Sequence, residues 1–176
     1  MSGSPTGRVL PILVAGAPGL EQPSAPVEPG DPHLPAAIAD LTETLADFRV
    51  RIGFGRAISA PQVGIYRRLI VVDLGHGPLV LVNPEITWRS AETRMVWDDC
   101  LSVPDVLVRV ERHASISVRH QTQRFETVER ERLPADMAEL LQHEIDHLDG
   151  VLMTARAGGP DSVVPMARRA ELIPDR

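Results

Sequence analysis

Apolar and polar positions along the chain divide it into a short series of elements. Leu34, Ile38, Leu41, Leu45 and Phe48 recur at spacings of three and four after Asp31-Pro32, which predicts an amphipathic helix over Pro32–Arg51. Gly53, Gly55, Pro61 and Gly64 interrupt regularity and predict a loop. Leu69–Val72 and Leu79–Val82 are unbroken aliphatic runs, read as buried strands joined by a turn at Gly75-His76-Gly77-Pro78. Ile86–Leu101 and Val106–Val118 read as further strands, with clear alternation at Ala114–Val118. Pro134 opens a second amphipathic helix, Pro134–Leu148, and Gly150 is placed to end it. Residues 1–33 are rich in Pro and Gly and read as an extended arm anchored through the apolar stretch Val9–Val14. After Thr154 the tail, residues 155–176, is polar, with a short helix over Val163–Leu172. Strands clustered between two helices predict an α+β fold, as one domain over 1–176 with mostly antiparallel strands around a central second helix and Pro32–Arg51 packed outside.

Composition narrows this picture. Of 176 residues 43% are hydrophobic but only 3% aromatic, so the core must be aliphatic. No apolar run reaches the length of a membrane span. The apolar N-terminal stretch is short and broken by Pro11, so it is read as mature protein and a cytoplasmic location is expected. The net charge of −6 argues against a large nucleic-acid footprint. All 18 basic residues are Arg, which removes Lys-based nucleophilic or Schiff-base chemistry. The single cysteine, Cys100, rules out an intrachain disulfide and leaves a buried apolar role, a nucleophile or a metal ligand.

The chemistry concentrates in Gln142-His143-Glu144-Ile145-Asp146-His147. His143 and His147, four apart, share one helix face and can bind one metal ion, while Glu144 is offset to reach a water on that ion. A catalytic site of this kind needs a third protein ligand. The metalloprotease pattern would put a histidine at position 153, where this chain has Met153. His33, His76, His113 and His120 read as surface or turn residues. Cys100 in Asp98-Asp99-Cys100-Leu101-Ser102 is the better third ligand, because a thiolate beside two imidazoles suits iron or zinc.

These residues resemble the peptide deformylases. Three motifs carry the resemblance, in order. The first, Gly-x-Gly-Leu-Ala-Ala-x-Gln in the family, stands here as Gly55-Arg56-Ala57-Ile58-Ser59-Ala60-Pro61-Gln62. The second, Glu-Gly-Cys-Leu-Ser, stands as Asp98-Asp99-Cys100-Leu101-Ser102. The third is Gln142–His147. The resemblance implies that Cys100, His143 and His147 hold one divalent metal, Fe2+ in the first place with Zn2+ or Ni2+ as substitutes. It implies that Glu144 carries the proton from a metal-activated water to the leaving amine. The Gln62 amide and the Leu101 backbone N–H would steady the oxyanion. Asp146 is expected to fix local backbone or His orientation.

The departures fall around the expected substrate pocket, assigned to Arg56, Ala57, Ile58, Asp99, Asp136 and Glu139. Arg56 stands where the family is aliphatic, Asp136 where it is apolar and Glu139 where it carries an aliphatic residue or Arg, and Ala57 and Asp99 replace glycines. Unpaired charge is unfavourable beside a thioether, so the expected substrate is a formylated small molecule or polar amino acid. The alternatives are the housekeeping role on N-formylmethionyl peptides, with ribosome association in that case only, and a catalytically inactive binding homologue. Arg56 pairing with Glu139 at the rim is the competing reading of the charges.

Overall fold

The computed structural model describes residues 6–173. Helix α1 runs over Leu34–Ile52 and ends on Gly53 in the left-handed region (φ 90°), whose N–H closes on the Arg49 carbonyl at 2.9 Å. Strands β1 (Ala57–Ser59), β2 (Leu69–Val72), β3 (Leu79–Arg89), β6 (Ile116–Gln121) and β7 (Thr127–Arg130) form one antiparallel sheet in the order β1-β2-β3-β6-β7. Strands β4 (Thr93–Cys100), β5 (Val103–His113) and β8 (Val163–Pro165) form a second, in that order. Helix α2 spans Ala135–Leu148, and the short helix α3 spans Arg169–Leu172.

Strand β2 is buried on both faces of the larger sheet, which explains why it reads as an unbroken aliphatic run. Ile70, Val72 and Leu81 pack with Leu141, Ile145 and Leu148 of α2. Their neighbours Leu69, Val71 and Val82 turn the other way, onto Leu41 and Leu45 of α1. Helix α2 also meets β5 of the second sheet. Its last eleven residues, Ala138–Leu148, are all buried. The expected amphipathic helix is therefore enclosed on every side, and its polar residues must find partners inside the protein.

Several expected elements are redrawn. Ile86–Leu101 contains a reversal: β3 ends at Arg89 and β4 begins at Thr93, in the other sheet. Val106–Val118 is likewise cut at Ala114-Ser115 between β5 and β6. Strand β7 and the short β1, which lies inside the segment read as loop, were not anticipated. The expected helix Val163–Leu172 is instead strand β8, a single 3₁₀ turn and α3. His120 is buried, with Nε2 accepting from Arg130 Nε at 3.1 Å, against its reading as a surface residue.

The N-terminal arm is anchored, but mainly through polar groups. Val9 and Val14 are exposed. Instead the Arg8 N–H reaches Asp40 (2.8 Å) and the Leu10 N–H reaches Thr44 (2.9 Å). The Leu13 and Ala15 N–H groups bond the carbonyls of Gln62 (2.7 Å) and Ser102 (2.8 Å). The arm thus ties together two separate turns that border α2. Its later part passes so close to the end of α2 that a Cβ on Gly150 (φ 75°) would lie 2.7 Å from the Gln22 backbone, a clash that favours glycine as strongly as the backbone angle does.

Candidate metal centre and adjoining cavity

Strand β4 delivers Cys100 to α2. Pairing of Cys100 with Val103 leaves Leu101-Ser102 as a two-residue turn, and a register shift between Asp98 and Cys100 breaks the regular ladder. Asp98 and Cys100 are both buried, while Asp99 between them is half-buried and lines a cavity.

Cys100, His143 and His147 come together with ligand atoms all within 4.8 Å of one another, and each residue is at most 7% exposed. Cys100 Sγ lies 3.2 Å from His147 Nε2. His143 Nδ1 faces Asp98 Oδ2 at 3.1 Å, which leaves its Nε2 for coordination. The donor set, one thiolate and two imidazoles, has the chemistry of a transition-metal site with an open position. The residues present therefore fit a divalent cation.

Asp98 ties the ligands to a buried ion network. Its Oδ2 also accepts from Arg112 Nη2 (2.7 Å), and the other arm of Arg112 donates to Asp146. Arg156 grips Asp146 from outside. Burial alone would raise the Asp98 carboxyl, but its bond to His143 and the charges of His143 and Arg112 bring it down to about 2. Burial and then the neighbouring positive charges push His147 well below its ordinary value, which favours the neutral ring a metal requires. The Asp146 carboxylate, expected to fix local backbone or a histidine, accepts from Arg112 and Arg156. The histidine-orienting carboxylate is Asp98.

Glu144 is buried beside this group. Burial raises its carboxyl, opposed by the His143 charge and by a bond from the Ser59 hydroxyl. Gln62 sits in the 3₁₀ turn Ala60–Val63 that follows β1. Its Oε1 accepts the Ser59 N–H (2.9 Å), so its amide nitrogen points to Ser102 Oγ (3.1 Å) and lies 3.9 Å from Cys100 Sγ. Leu101 borders the same cavity from the β4–β5 turn.

The cavity, about 30 Å³, is bordered by Gln62, Leu101, His143 and Glu144, beside the candidate ligands. It is bordered as well by Phe54, Arg56, Ala57, Asp99, Glu139 and Arg169. Two residues expected there are elsewhere. Ile58 is fully buried in the cluster against α1, because alternation along β1 turns it away from Ala57. Asp136 is exposed in the first turn of α2, two residues before the helix becomes buried at Ala138. Glu139, only 2% exposed, receives Arg56 and Arg94 on its two oxygens, each at 3.1 Å. Asp99 accepts from Arg169 Nε at 2.6 Å, and Arg169 stacks on Phe54 with its guanidinium 4.0 Å from the ring centre. Pairing of β8 with β5 brings this part of the tail to the site. Arg94, Arg112 and Arg169 escape sequence reasoning, since nothing local distinguishes them among 18 arginines.

The family model of polypeptide deformylase matches residues 9–162. The chain belongs to the peptide deformylase family. A curated peptide deformylase of Thermotoga neapolitana is 40% identical over 145 residues, covering 82% of this chain and 85% of its own length. The crystal structure of the Thermotoga maritima peptide deformylase superposes with a TM-score of 0.79 at 38% identity, over 86% of this chain and 99% of that one. A class I type b peptide deformylase of Acinetobacter baumannii, in a structure bound to Met-Ala-Ser, superposes with a TM-score of 0.75 at 32% identity, over 85% and 98%. Family membership makes the chain a metal-dependent hydrolase of N-formyl amides, and Cys100, His143 and His147 are a group that could hold a divalent metal. Among the described residues no helix is long and apolar enough to cross a membrane.

Proposed function

We propose that this deformylase removes the formyl group from N-formyl peptides, with Fe2+ as the resident ion and Zn2+ or Ni2+ as substitutes. The observation that carries the reading is the cluster of Cys100, His143 and His147 beside a cavity bordered by His143, Glu144 and Gln62. When bound, the cation supplies Lewis acidity that makes a coordinated water a nucleophile near neutral pH. Glu144, buried and with its carboxyl raised, accepts a proton from the attacking water and returns it to the departing amine. The Gln62 amide N–H and the Leu101 backbone N–H donate to the developing oxyanion.

The earlier expectation of a formylated small molecule is not carried forward. The relatives reported above are all peptide deformylases. The charges that prompted it do not stand bare in the cavity either: Arg56 pairs with Glu139, which also takes Arg94, and Asp136 is exposed and not among the lining residues. Against a binding-only role, the chain keeps Cys100, His143, His147, Glu144 and Gln62.

Turnover of formyl-Met-Ala-Ser by anaerobically purified, Fe2+-loaded enzyme tests the reading, beside formylated polar amino acids and amines. Efficient turnover of the peptide is expected. Glu144→Ala should lower kcat/KM by on the order of 10³ with metal content unchanged. Preference for the small formamides would overturn the peptide assignment. Bound metal with no Glu144-dependent hydrolysis of any formamide would leave a binding module.

A further inference from the structure

Ser59 ends β1, is fully buried, and stands where the family motif quoted above has alanine. It touches both groups that the proposed reaction needs besides the metal. Its backbone N–H holds Gln62 by Oε1 at 2.9 Å, which fixes the amide with its NH2 toward the Cys100 side. Its hydroxyl lies against Glu144 twice, at the carboxylate Oε2 and, at 3.0 Å, at the backbone carbonyl. A hydroxyl has one proton to give, and an ionised carboxylate is the stronger acceptor. The donated bond therefore goes to Oε2.

That bond restrains the one torsion that α2 leaves loose. The terminal torsion of a glutamate is broad and nearly two-fold, so burial of the helix does not choose which oxygen faces the cavity. Oε1 has no hydrogen-bond donor among the described residues, while Glu144 itself borders the cavity. Holding Oε2 on Ser59 leaves Oε1 as the oxygen presented to the reacting water.

We propose that Ser59 is a positioning residue that orients Glu144 through its hydroxyl and Gln62 through its backbone N–H, so that one residue of β1 aligns the proton carrier and the oxyanion donor together. This rests on the roles proposed above for Glu144 and Gln62. The hydroxyl is the part peculiar to Ser59, since any residue supplies the N–H.

Ser59→Ala separates the two contacts, because it deletes the hydroxyl, keeps the N–H and scarcely changes volume. With the Fe2+-loaded enzyme and formyl-Met-Ala-Ser, kcat should fall about tenfold while KM stays within about twofold. Metal content and melting temperature should match the parent. Ser59→Thr, which keeps a hydroxyl, should recover most of the lost kcat. Crystal structures of metal-free parent and Ser59→Ala give a readout independent of turnover. One Glu144 carboxylate orientation is expected in the parent, and a rotated or split one in the variant. An unchanged kcat with a single Glu144 conformer in Ser59→Ala would overturn the proposal. So would a loss that follows the melting temperature in both variants, which would make Ser59 a packing residue. If the parent hydrolyses no formyl peptide, the assigned reaction fails, and the two crystal structures still decide whether the hydroxyl orients Glu144.

Discussion

The two walls of the cavity are built on opposite plans. On the metal side, polar groups are held from behind so that their free atoms face inward: Asp98 takes His143 Nδ1, and the Ser59 N–H takes Gln62 Oε1. On the substrate side the charges turn to one another: Glu139 to Arg56 and Arg94, Asp99 to Arg169. The first wall carries the metal-ligand candidates and Glu144, with Asp98 and Ser59 as its own departures, and the second carries Arg56, Ala57, Asp99 and Glu139. Charge can therefore be added beside an apolar substrate pocket when it arrives as compensated pairs, because the desolvation penalty falls on unpaired groups. Arg56, Asp99, Glu139 and Arg169 all line the cavity itself.

Between the two walls, the largest effect should follow from loosening the metal wall from behind. Asp98→Asn keeps the shape but loses the charge that holds His143 and Arg112. Metal affinity, measured by competition with a chelator, should drop about 10- to 100-fold. The same residue gives a pH signature in the metal-free protein. Its folded value, about 2, lies below the ordinary 3.8. The stabilisation is therefore complete above about pH 4 and is lost as pH falls toward 2, by on the order of 2 kcal/mol. Urea midpoints of the parent should fall over that window, and those of Asp98→Asn should fall less. Equal slopes would place the acid sensitivity elsewhere and cut Asp98 out of the metal wall.

Why one wall was legible in the sequence and the other was not follows from range. His143, Glu144 and His147 lie within a single turn of one helix, so spacing alone places them on it. Cys100 and Gln62 are distant in sequence but sit in short segments whose order the family resemblance supplies. The elements most visible, α1, β2 and α2, are those with long or unbroken apolar patterns. Strand β1 was hidden by the glycines and proline around it, and β4 by its join to β3 across a reversal at Ser90–Glu92 that carries neither Gly nor Pro. The ion pairs of the substrate wall join residues 45, 70 and 83 positions apart. No local pattern chooses Arg94 over the other arginines as the partner of Glu139. Alternation could have removed Ile58 from the pocket, had β1 been recognised as a strand.

A smaller effect is expected from emptying the second wall of its central pair. The double variant Arg56→Leu/Glu139→Leu removes the buried carboxylate together with one partner, and Arg94, 39% exposed, can turn to solvent. With the wall made apolar, KM for formyl-Met-Ala-Ser should fall by roughly three- to tenfold with kcat nearly unchanged, as expected for a gain in uniform binding. Glu139→Leu alone strands two arginines beside the cavity and should do less. A fall in kcat matching or exceeding the change in KM would show that the ion pairs help arrange the reacting groups, and the two walls could no longer be treated as separable.

The smallest effect should come from Asp136, the charged departure that is exposed and outside the cavity. It sits in the first turn of α2, where its carboxylate accepts the Met137 N–H at 2.9 Å and meets the positive end of the helix. Asp136→Asn keeps the acceptor and loses only the charge, so stability should change by no more than about 0.5 kcal/mol and KM by less than about twofold. The contrast with Glu139 is the point of the measurement. The two acids lie three residues apart on one helix, and only the second falls where α2 is enclosed. If Asp136→Asn moved KM as far as the double variant does, burial would not be what separates the two, and the substrate wall would have to extend past the start of α2.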